Sequence, residues 1–239
     1  MATYPCRRSV SLSRHAYSGI TIMSKPDVDT DVFVVLFVCT GNICRSPLAE
    51  HIFRSQISSI SDVVYTHSAG THALVGRPMT AEAAALSVAL GADPSRHTAA
   101  DLTLPMVQRA DLILVASREH RSATVSMMPR ASRKTFTIRE FERLLGTHAE
   151  RVPESVVIPG DRSREALTNF VADVASMRGL SRNVPSPGDD DIVDPYRQPQ
   201  DVYDKAASLI LSAITATSRS LERVANTVVT DKRDDALRQ

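Results

Sequence analysis

Short apolar runs rich in β-branched residues alternate along the chain with segments in which apolar residues recur at helical spacing. The first run covers residues 34–38, and helical spacing follows directly after Pro47, a residue that the first turn of a helix tolerates. The same criteria predict strands at 63–68, 112–116 and 134–136, and helices at about 79–90, 119–128, 138–145 and 202–224. Strands that alternate with helices favour a parallel sheet covered on both faces. We therefore predict an α/β fold, a single three-layer domain with a central four-stranded parallel sheet.

The composition changes between residues 146 and 190, where prolines and arginines are scattered and one helix is predicted at about 164–177. We interpret this stretch as an insertion, and expect a solvated surface elaboration rather than a docking site. Residues 1–30 carry arginines and serines without a continuous apolar core, so we expect a disordered extension rather than a transit peptide. The predicted domain spans residues 31–228, and residues 229–239 are expected to form a flexible tail.

The overall composition argues against several classes of function. The 28 basic and 27 acidic side chains among 239 residues give a net charge of +1, which indicates no nucleic-acid partner. No apolar run is long enough to span a bilayer, so we expect no membrane partner. The three cysteines do not form a disulfide framework, and the seven histidines lack metal-ligand spacing. We expect a cytoplasmic protein without a bound metal or cofactor.

The turn between the first strand and the first helix carries the candidate chemistry. Backbone N–H groups of a tight loop can point inward around an anion, and the start of the following helix adds partial positive charge. Cys39 begins this loop, and such surroundings favour its thiolate, the form that attacks as a nucleophile. Arg45 ends the loop with a planar guanidinium that can hold two phosphate oxygens. These residues predict hydrolysis of a phosphate ester without a metal.

A family resemblance rests on this turn, Cys39-Thr40-Gly41-Asn42-Ile43-Cys44-Arg45-Ser46-Pro47. The segment closely resembles the phosphate-binding loop of the low-molecular-weight protein tyrosine phosphatases, and the similarity covers roughly residues 32–145 and 192–225. The resemblance implies hydrolysis of phosphotyrosine in proteins through a cysteinyl-phosphate intermediate. The family places its general acid in an Asp-Pro-Tyr segment, which implies that Asp194 protonates the leaving phenol and then activates water. Asp189, Asp190 and Asp191 are nearby alternatives, although such a run is typical of a solvated segment.

The resemblance also implies supporting roles within and around the loop. Four loop residues are expected to help bind phosphate: Thr40, Gly41, Ile43 and Cys44. Ser46 is expected to stabilise the departing thiolate through its hydroxyl. Asn42, Ser68 and His97 match positions that hold the loop rigid in the family, and asparagine also tolerates a left-handed backbone. Cys44 is expected either to protect Cys39 through a reversible disulfide or to be a small packed side chain.

The chain departs from the family at the walls of the substrate pocket. The loop after the second strand normally supplies an aromatic wall, but residues 72–75 include no phenyl or indole ring and the chain has no tryptophan. We place Leu74, Tyr196 and Arg197 at the pocket, and expect it to be shallower, more basic or more permissive than usual. Two further segments, residues 68–72 and 136–141, are similar to bacterial members of the family. The expected partner is a phosphotyrosine protein, and the resemblance to bacterial members implies a bacterial tyrosine autokinase as one example.

Two other functions are compatible with the same loop. A thioredoxin-coupled arsenate reductase shares the fold, but its reaction needs further cysteines downstream and none follows Cys44. A silent phosphopeptide-binding module is the alternative from another class. Turnover of p-nitrophenyl phosphate distinguishes a phosphatase from such a module.

Overall fold

A computed structural model of the protein describes residues 31–151, 163–180, 186 and 188–226. The predicted extension at 1–30 and the predicted tail at 229–239 lie outside the described residues, as do parts of the predicted insertion. The strands are β1 (Phe33–Cys39), β2 (Val64–Gly70), β3 (Leu112–Val115) and β4 (Thr135–Thr137). The helices are α1 (Arg45–Gln56), α2 (Ala81–Ala89), α3 (Leu104–Arg109), α4 (Arg118–Met127), α5 (Ile138–Arg151), α6 (Arg164–Ser176) and α7 (Gln200–Asn226).

The four strands form one parallel sheet in the order β2-β1-β3-β4. Strand β1 is central and pairs with β2 along its whole length, from Phe33 opposite Val64 to Cys39 opposite Gly70. All seven residues of β1 are buried, because neighbouring strands and helices cover both its edges and its faces. The prediction of a parallel α/β sheet is confirmed.

The helices divide between the two faces of the sheet and complete a three-layer domain. Alternate residues of β1, such as Phe33 and Phe37, enter a large core with residues of α1, α5, α6 and α7. The intervening residues, such as Leu36, enter a smaller core on the opposite face, which includes Val107 of α3. Among the described residues, no helix is both long and apolar enough to cross a membrane.

The predicted surface role of the insertion is wrong for its helical part. Helix α5 continues to Arg151, beyond its predicted end. Helix α6 follows, and it contributes Leu167, Val171 and Val174 to the main core, all of them buried. These residues recur at four- and three-residue spacing, so they form the apolar stripe of a helix that packs on the domain. Helix α6 is therefore part of the fold.

Candidate active site

The loop between β1 and α1 places the predicted nucleophile at the carboxyl end of the central strand. Cys39 is the last residue of β1, and Arg45 is the first residue of α1. Between them, Asn42 has a φ of 54°, a left-handed conformation that asparagine adopts more readily than most residues. Gly70, at the end of β2, approaches the loop so closely that a Cβ would lie 2.4 Å from the Thr40 carbonyl oxygen. Only glycine fits there, a requirement that we did not predict.

Ser46 lies directly against the predicted nucleophile. Its Oγ is 3.0 Å from the Sγ of Cys39, and both side chains are buried. The Ser46 oxygen also accepts a hydrogen bond of 2.9 Å from the Asn42 amide, which leaves the hydroxyl hydrogen for another acceptor. The carbonyl of Ala69 is 3.4 Å away, so the nearer sulfur is the better partner. The hydroxyl can therefore donate to a thiolate at Cys39.

Asn42 is the most extensively bonded residue of the loop. Its side-chain amide donates to the hydroxyls of Ser46 and Ser68, each at 2.9 Å, and its Oδ1 accepts from the backbone N–H of Ala100 at 2.9 Å. Its carbonyl oxygen lies 2.7 Å from the Nε2 of His97. Asn42 is fully buried, so these contacts replace water for its side-chain amide and its carbonyl oxygen. They hold the left-handed turn in place.

Glu50 extends this network, and we did not predict its participation. Ser68 donates to the Oε2 of Glu50 at 2.6 Å, and the Oε1 of Glu50 pairs with Arg54 one helical turn later. Glu50 is buried, and burial raises the pKa of its carboxyl although Arg54 opposes the shift. A glutamate three residues after the loop looks like an ordinary surface residue of α1. Only the tertiary structure shows that it supports Ser68.

Arg45 is buried, and its guanidinium is already oriented by three contacts. Its Nη1 donates to the carbonyl of Ile192 at 3.1 Å, and its Nη2 donates to the Oγ1 of Thr40 at 3.4 Å. The same Nη2 lies 2.8 Å from the Oδ2 of Asp194. The Nε of Arg45 is buried and has no hydrogen-bond partner among the described residues. One edge of the fork therefore retains an unsatisfied donor, a cost that an anion in the loop would remove.

His120 is a second residue that the sequence did not predict. It is buried near the start of α4, with its Nε2 2.8 Å from the Thr40 Oγ1 and its Nδ1 2.6 Å from the Oγ of Ser117. Burial and, to a lesser extent, the positive charge of Arg45 lower the pKa of His120 to about 4. The ring is therefore neutral near pH 7. It links Ser117 to Thr40 and, through Thr40, to Arg45.

The segment before α7 brings Asp194 to the loop. Its side chain is 53% exposed and is paired with Arg45, and its Oδ1 accepts a hydrogen bond from the backbone N–H of Tyr196. The chain before Asp194 is fixed to the sheet, because the N–H of Ile192 donates to the carbonyl of Ala116 at 2.8 Å. The predicted acid thus lies beside the predicted phosphate-binding arginine.

The preceding aspartates are not all solvated, as the sequence led us to expect. Asp190 pairs with Arg143 at 2.9 Å, and Asp191 accepts from the backbone N–H of Arg118 at 2.7 Å. Only Asp189 of the three is exposed. The other two anchor the loop that carries Asp194, which was not apparent from a run of three acids.

A pocket opens above the loop, lined by Cys39, Thr40, Gly41, Ile43, Cys44, Arg45, His72, Leu74, Asp194 and Tyr196. Leu74 and Tyr196 are 42% and 38% exposed, which is high for large apolar side chains. Arg197 is not part of this lining, which corrects our placement of that residue. Its guanidinium instead lies 5.0 Å from the centre of the Tyr196 ring, and its φ of 61° is in the left-handed region.

Cys44 lies at the end of the loop and contacts groups outside it. Its Sγ is 3.5 Å from the Oγ1 of Thr80 and 3.9 Å from the hydroxyl of Tyr203. Burial raises the pKa of the Cys44 thiol. The thiol is therefore protonated near neutral pH, and it packs against α2 and α7.

The fold and the site define a class of α/β proteins in which one loop, between the first strand and the first helix, carries a cysteine at its start and an arginine at its end. Residues 34–174 match the family described as low molecular weight phosphotyrosine protein phosphatase. The chain belongs to this family of hydrolases, which confirms the resemblance stated from the loop.

Individual relatives agree with this assignment. The low molecular weight protein-tyrosine-phosphatase Etp of Escherichia coli strain K12 is 37% identical over 101 residues, which cover 42% of this chain and 66% of Etp, just under two thirds. The protein-arginine-phosphatase of Bacillus subtilis strain 168 is 32% identical over 120 residues, 48% of this chain and 75% of that protein. The structure of the low molecular weight protein tyrosine phosphatase from T. tengcongensis superimposes with a TM-score of 0.56 at 28% identity. That match covers 79% of this chain and 99% of the other.

Proposed function

We propose that the protein hydrolyses phosphotyrosine in proteins through a cysteinyl-phosphate intermediate. The observation that carries this proposal is the convergence of Cys39, Arg45 and Asp194 on one pocket, with Asp194 2.8 Å from the arginine. The three residues supply a nucleophile, a phosphate-binding cation and a proton donor. These are the groups that transfer of a phosphoryl group from a phenol requires.

In the first step the phosphate enters the loop and competes with Asp194 for Arg45. The Nε and Nη2 groups form one edge of the guanidinium, which suits two phosphate oxygens. Because Asp194 is about half exposed, the loss of its ion pair costs about 1 kcal/mol or less. The Cys39 sulfur then forms a bond to phosphorus as the bond from phosphorus to the phenolic oxygen breaks. Asp194 takes up a proton from solvent after the phosphate replaces it at Arg45, and gives that proton to the phenolic oxygen.

The second step hydrolyses the thiophosphate. Asp194, now a carboxylate, removes a proton from water as the water oxygen attacks phosphorus. The bond between sulfur and phosphorus breaks, and the Cys39 thiolate leaves with a hydrogen bond from the Ser46 hydroxyl, 3.0 Å away in the free protein. The products are inorganic phosphate and the original enzyme. The loop stays rigid during both steps through the contacts of Asn42 with Ser68 and His97. These contacts do not include Cys39 or the phosphate, so they can persist while the cysteine reacts.

The walls of the pocket favour an aromatic phosphoester. Ile43, Leu74 and Tyr196 supply apolar surface beside the loop, against which a phenyl ring can pack. Among the described residues, Asp194 is the only carboxylate in the lining. A phosphoarginine substrate, by contrast, carries a polar guanidino group that gains little from apolar walls. We therefore place phosphotyrosine ahead of phosphoarginine, although one relative is named for the latter.

A peptide panel tests the proposal. One sequence is prepared with phosphotyrosine, phosphoserine or phosphoarginine at the same position, and phosphate release is measured for the protein and for the variant Cys39→Ser. We expect release from the phosphotyrosine peptide to be at least about tenfold faster than from the others, and absent in the variant. Faster release from phosphoarginine would contradict the substrate class. Binding without release from any peptide would indicate the silent module instead.

Two further parts of the proposal concern the setting of the enzyme. We expect a cytoplasmic enzyme that acts on phosphotyrosine proteins, a bacterial tyrosine autokinase among them, because a working thiolate suits a reducing compartment. We also expect peroxide to join Cys39 and Cys44 in a disulfide that dithiothreitol reduces. The variant Cys44→Ser should then lose the reversible part of the inactivation. Identical recovery in the variant would refute this redox role.

A further inference from the structure

Three side chains of metal-binding type lie together behind the phosphate loop. Glu50 and His51 belong to α1, and His97 belongs to the segment between α2 and α3. One ligand atom from each lies within 4.8 Å of those of the other two. None of the three lines the pocket. The group is therefore separate from the reacting atoms, although it touches the residues that hold the loop.

His51 contains a buried polar atom that the fold leaves unsatisfied. The residue is 4% exposed, and its Nε2 has no hydrogen-bond partner among the described residues. Its ring stands edge-on to the ring of His97, with centroids 5.7 Å apart. Burial lowers the pKa of His51 to about 4, so the ring is neutral near pH 7. This unpaired buried nitrogen costs free energy, and an ion bound there would recover that cost once the hydrogen of the neutral ring is on Nδ1.

His97 already has the arrangement of a metal-binding histidine. Its Nε2 lies 2.7 Å from the carbonyl oxygen of Asn42, and a carbonyl can only accept, so Nε2 carries the hydrogen. In a neutral ring the lone pair is then on Nδ1. Histidine ligands usually donate their other N–H to a backbone carbonyl or a carboxylate in this way. The contact to Asn42 therefore leaves Nδ1 of His97 as the nitrogen that can bind an ion.

Glu50 supplies negative charge, and its present cation can leave. The carboxylate accepts from Ser68 and pairs with Arg54, whose side chain is 50% exposed. Arg54 also donates to the Nδ1 of His51 at 3.4 Å. A metal at either nitrogen of His51 requires Arg54 to move. A metal at Nδ1 would take the place of the Arg54 guanidinium, and a metal at Nε2 would leave a hydrogen on Nδ1 that faces the N–H of Arg54. Arg54 is half exposed and can move into solvent, and the metal then replaces it as the cation beside the buried Glu50.

We propose that Glu50, His51 and His97 bind a zinc ion. Two imidazoles and a carboxylate form a ligand set that zinc accepts in tetrahedral sites, with a water or another oxygen in the fourth position. Asp93 is an exposed carboxylate close enough to His51 for their charges to interact. Ligands about 2.1 Å from a tetrahedral zinc are about 3.4 Å apart, so ligand atoms that lie within 4.8 Å of one another must approach by up to roughly 1.4 Å.

Zinc at this position would act on the phosphate loop. Glu50 holds Ser68, and His97 holds the Asn42 carbonyl, so an ion shared by both would change how the left-handed turn is supported. A change in turnover is therefore expected when zinc binds, and this consequence rests on the proposed phosphatase function. Binding itself does not depend on turnover. The two can be measured separately.

The experiment measures zinc binding by calorimetry in the variant Cys39→Ser, which removes the thiolate that could bind zinc in the pocket. We expect one ion per chain, and an affinity about 100-fold weaker when His51→Asn is added. Adding Arg54→Gln instead should tighten binding several-fold, because it removes the competing charge. Adding Asp93→Asn should weaken binding by a few-fold at most. Cobalt in place of zinc should give the visible absorption of a tetrahedral nitrogen and oxygen site without a thiolate charge-transfer band.

Each result decides for or against the site. Binding that His51→Asn leaves unchanged, or a thiolate band that disappears when Cys44→Ser is added, would overturn the proposal. If His51→Asn does not fold, as judged by circular dichroism, the test of the zinc site rests on the variants of the exposed side chains, Arg54→Gln and Asp93→Asn. Weaker or unchanged binding in Arg54→Gln would then contradict the assignment. An enzyme that binds zinc as expected but releases no phosphate would refute only the proposed function.

Discussion

Replacing Asp194 by asparagine is the most direct test of the mechanism, because it removes the group that donates the proton and keeps the size and shape of the side chain. General acid catalysis contributes about 10²- to 10⁴-fold in rate, or about 3 to 5 kcal/mol of barrier. The ion pair to Arg45 involves a side chain that is 53% exposed, so its loss should change stability by about 1 kcal/mol or less. Arg45 also keeps its bond to the carbonyl of Ile192. The loss of activity should therefore greatly exceed the loss of stability.

The assay compares two aryl phosphates that differ in leaving group. For Asp194→Asn we expect kcat on phenyl phosphate to fall by about 10²- to 10³-fold, because a phenol with a pKa of about 10 leaves poorly without a proton. The fall on p-nitrophenyl phosphate should be smaller, since that phenol is more acidic. Inorganic phosphate should inhibit the variant at least as well as the parent, because Asp194 no longer competes for Arg45. Thermal melting measures the stability of both proteins.

The exposed Asp189 provides the matched control, as an aspartate of the same loop that is absent from the pocket lining. Asp189→Asn should retain activity within about twofold, as surface changes usually do. A folded Asp194→Asn that loses less than about threefold on phenyl phosphate would refute the role of Asp194 as acid. Equal losses on the two substrates would show that proton donation is not what the side chain supplies.

Four further outcomes follow from the described contacts. Cys39→Ser should abolish turnover while phosphate still binds; residual turnover above about 1% would contradict a sulfur nucleophile. Ser46→Ala should lower kcat by about 10- to 100-fold through loss of one charge-assisted hydrogen bond, and should lower the melting temperature by a few degrees because the buried Asn42 amide loses an acceptor; an unchanged kcat would contradict the role of Ser46. The pKa of His120 is about 4 when folded and 6.5 when unfolded, so its contribution to stability is present above pH 6.5 and is lost as the pH falls toward 4. From pH 7 to pH 5 the parent should therefore lose about 2 kcal/mol more than His120→Asn in urea titrations, and parallel curves would refute the shift. Leu167→Ala should cost about 2 to 4 kcal/mol, because Leu167 is fully buried in the main core; a cost below about 1 kcal/mol would place α6 outside it.

Short-range patterns were sufficient to predict most elements of the fold. The apolar run of β1 is interpretable because a central parallel strand is buried on both faces. The capping box of Thr137 and Glu140 is also local: Glu140 N–H donates to the Thr137 hydroxyl at 3.0 Å, and Thr137 N–H donates to the Glu140 carboxylate at 3.2 Å. Errors at element ends stayed within a few residues, except for α5, which continues to Arg151.

Residues brought from distant parts of the chain were harder to predict. His120 touches Thr40 from 80 positions away, and Glu50 reaches Ser68 across 18 positions. Nothing in the spacing of His51 and His97 indicated that they lie together. Periodicity shows which face of an element is buried, but not which partner meets a polar group there. Those contacts depend on how α1, α4 and the strands pack.

The sequence by itself determined the phosphate loop, because its nucleophile, left-handed asparagine and arginine lie within seven consecutive residues and their relative positions are set by one local turn. It also indicated Asp194, through the tripeptide that contains it. The tertiary structure alone decided that Asp194 pairs with Arg45, that Arg197 lies over the Tyr196 ring, and that α6 belongs to the core. Local backbone preferences act over a few residues, whereas these arrangements depend on packing between elements, which residue spacing does not encode.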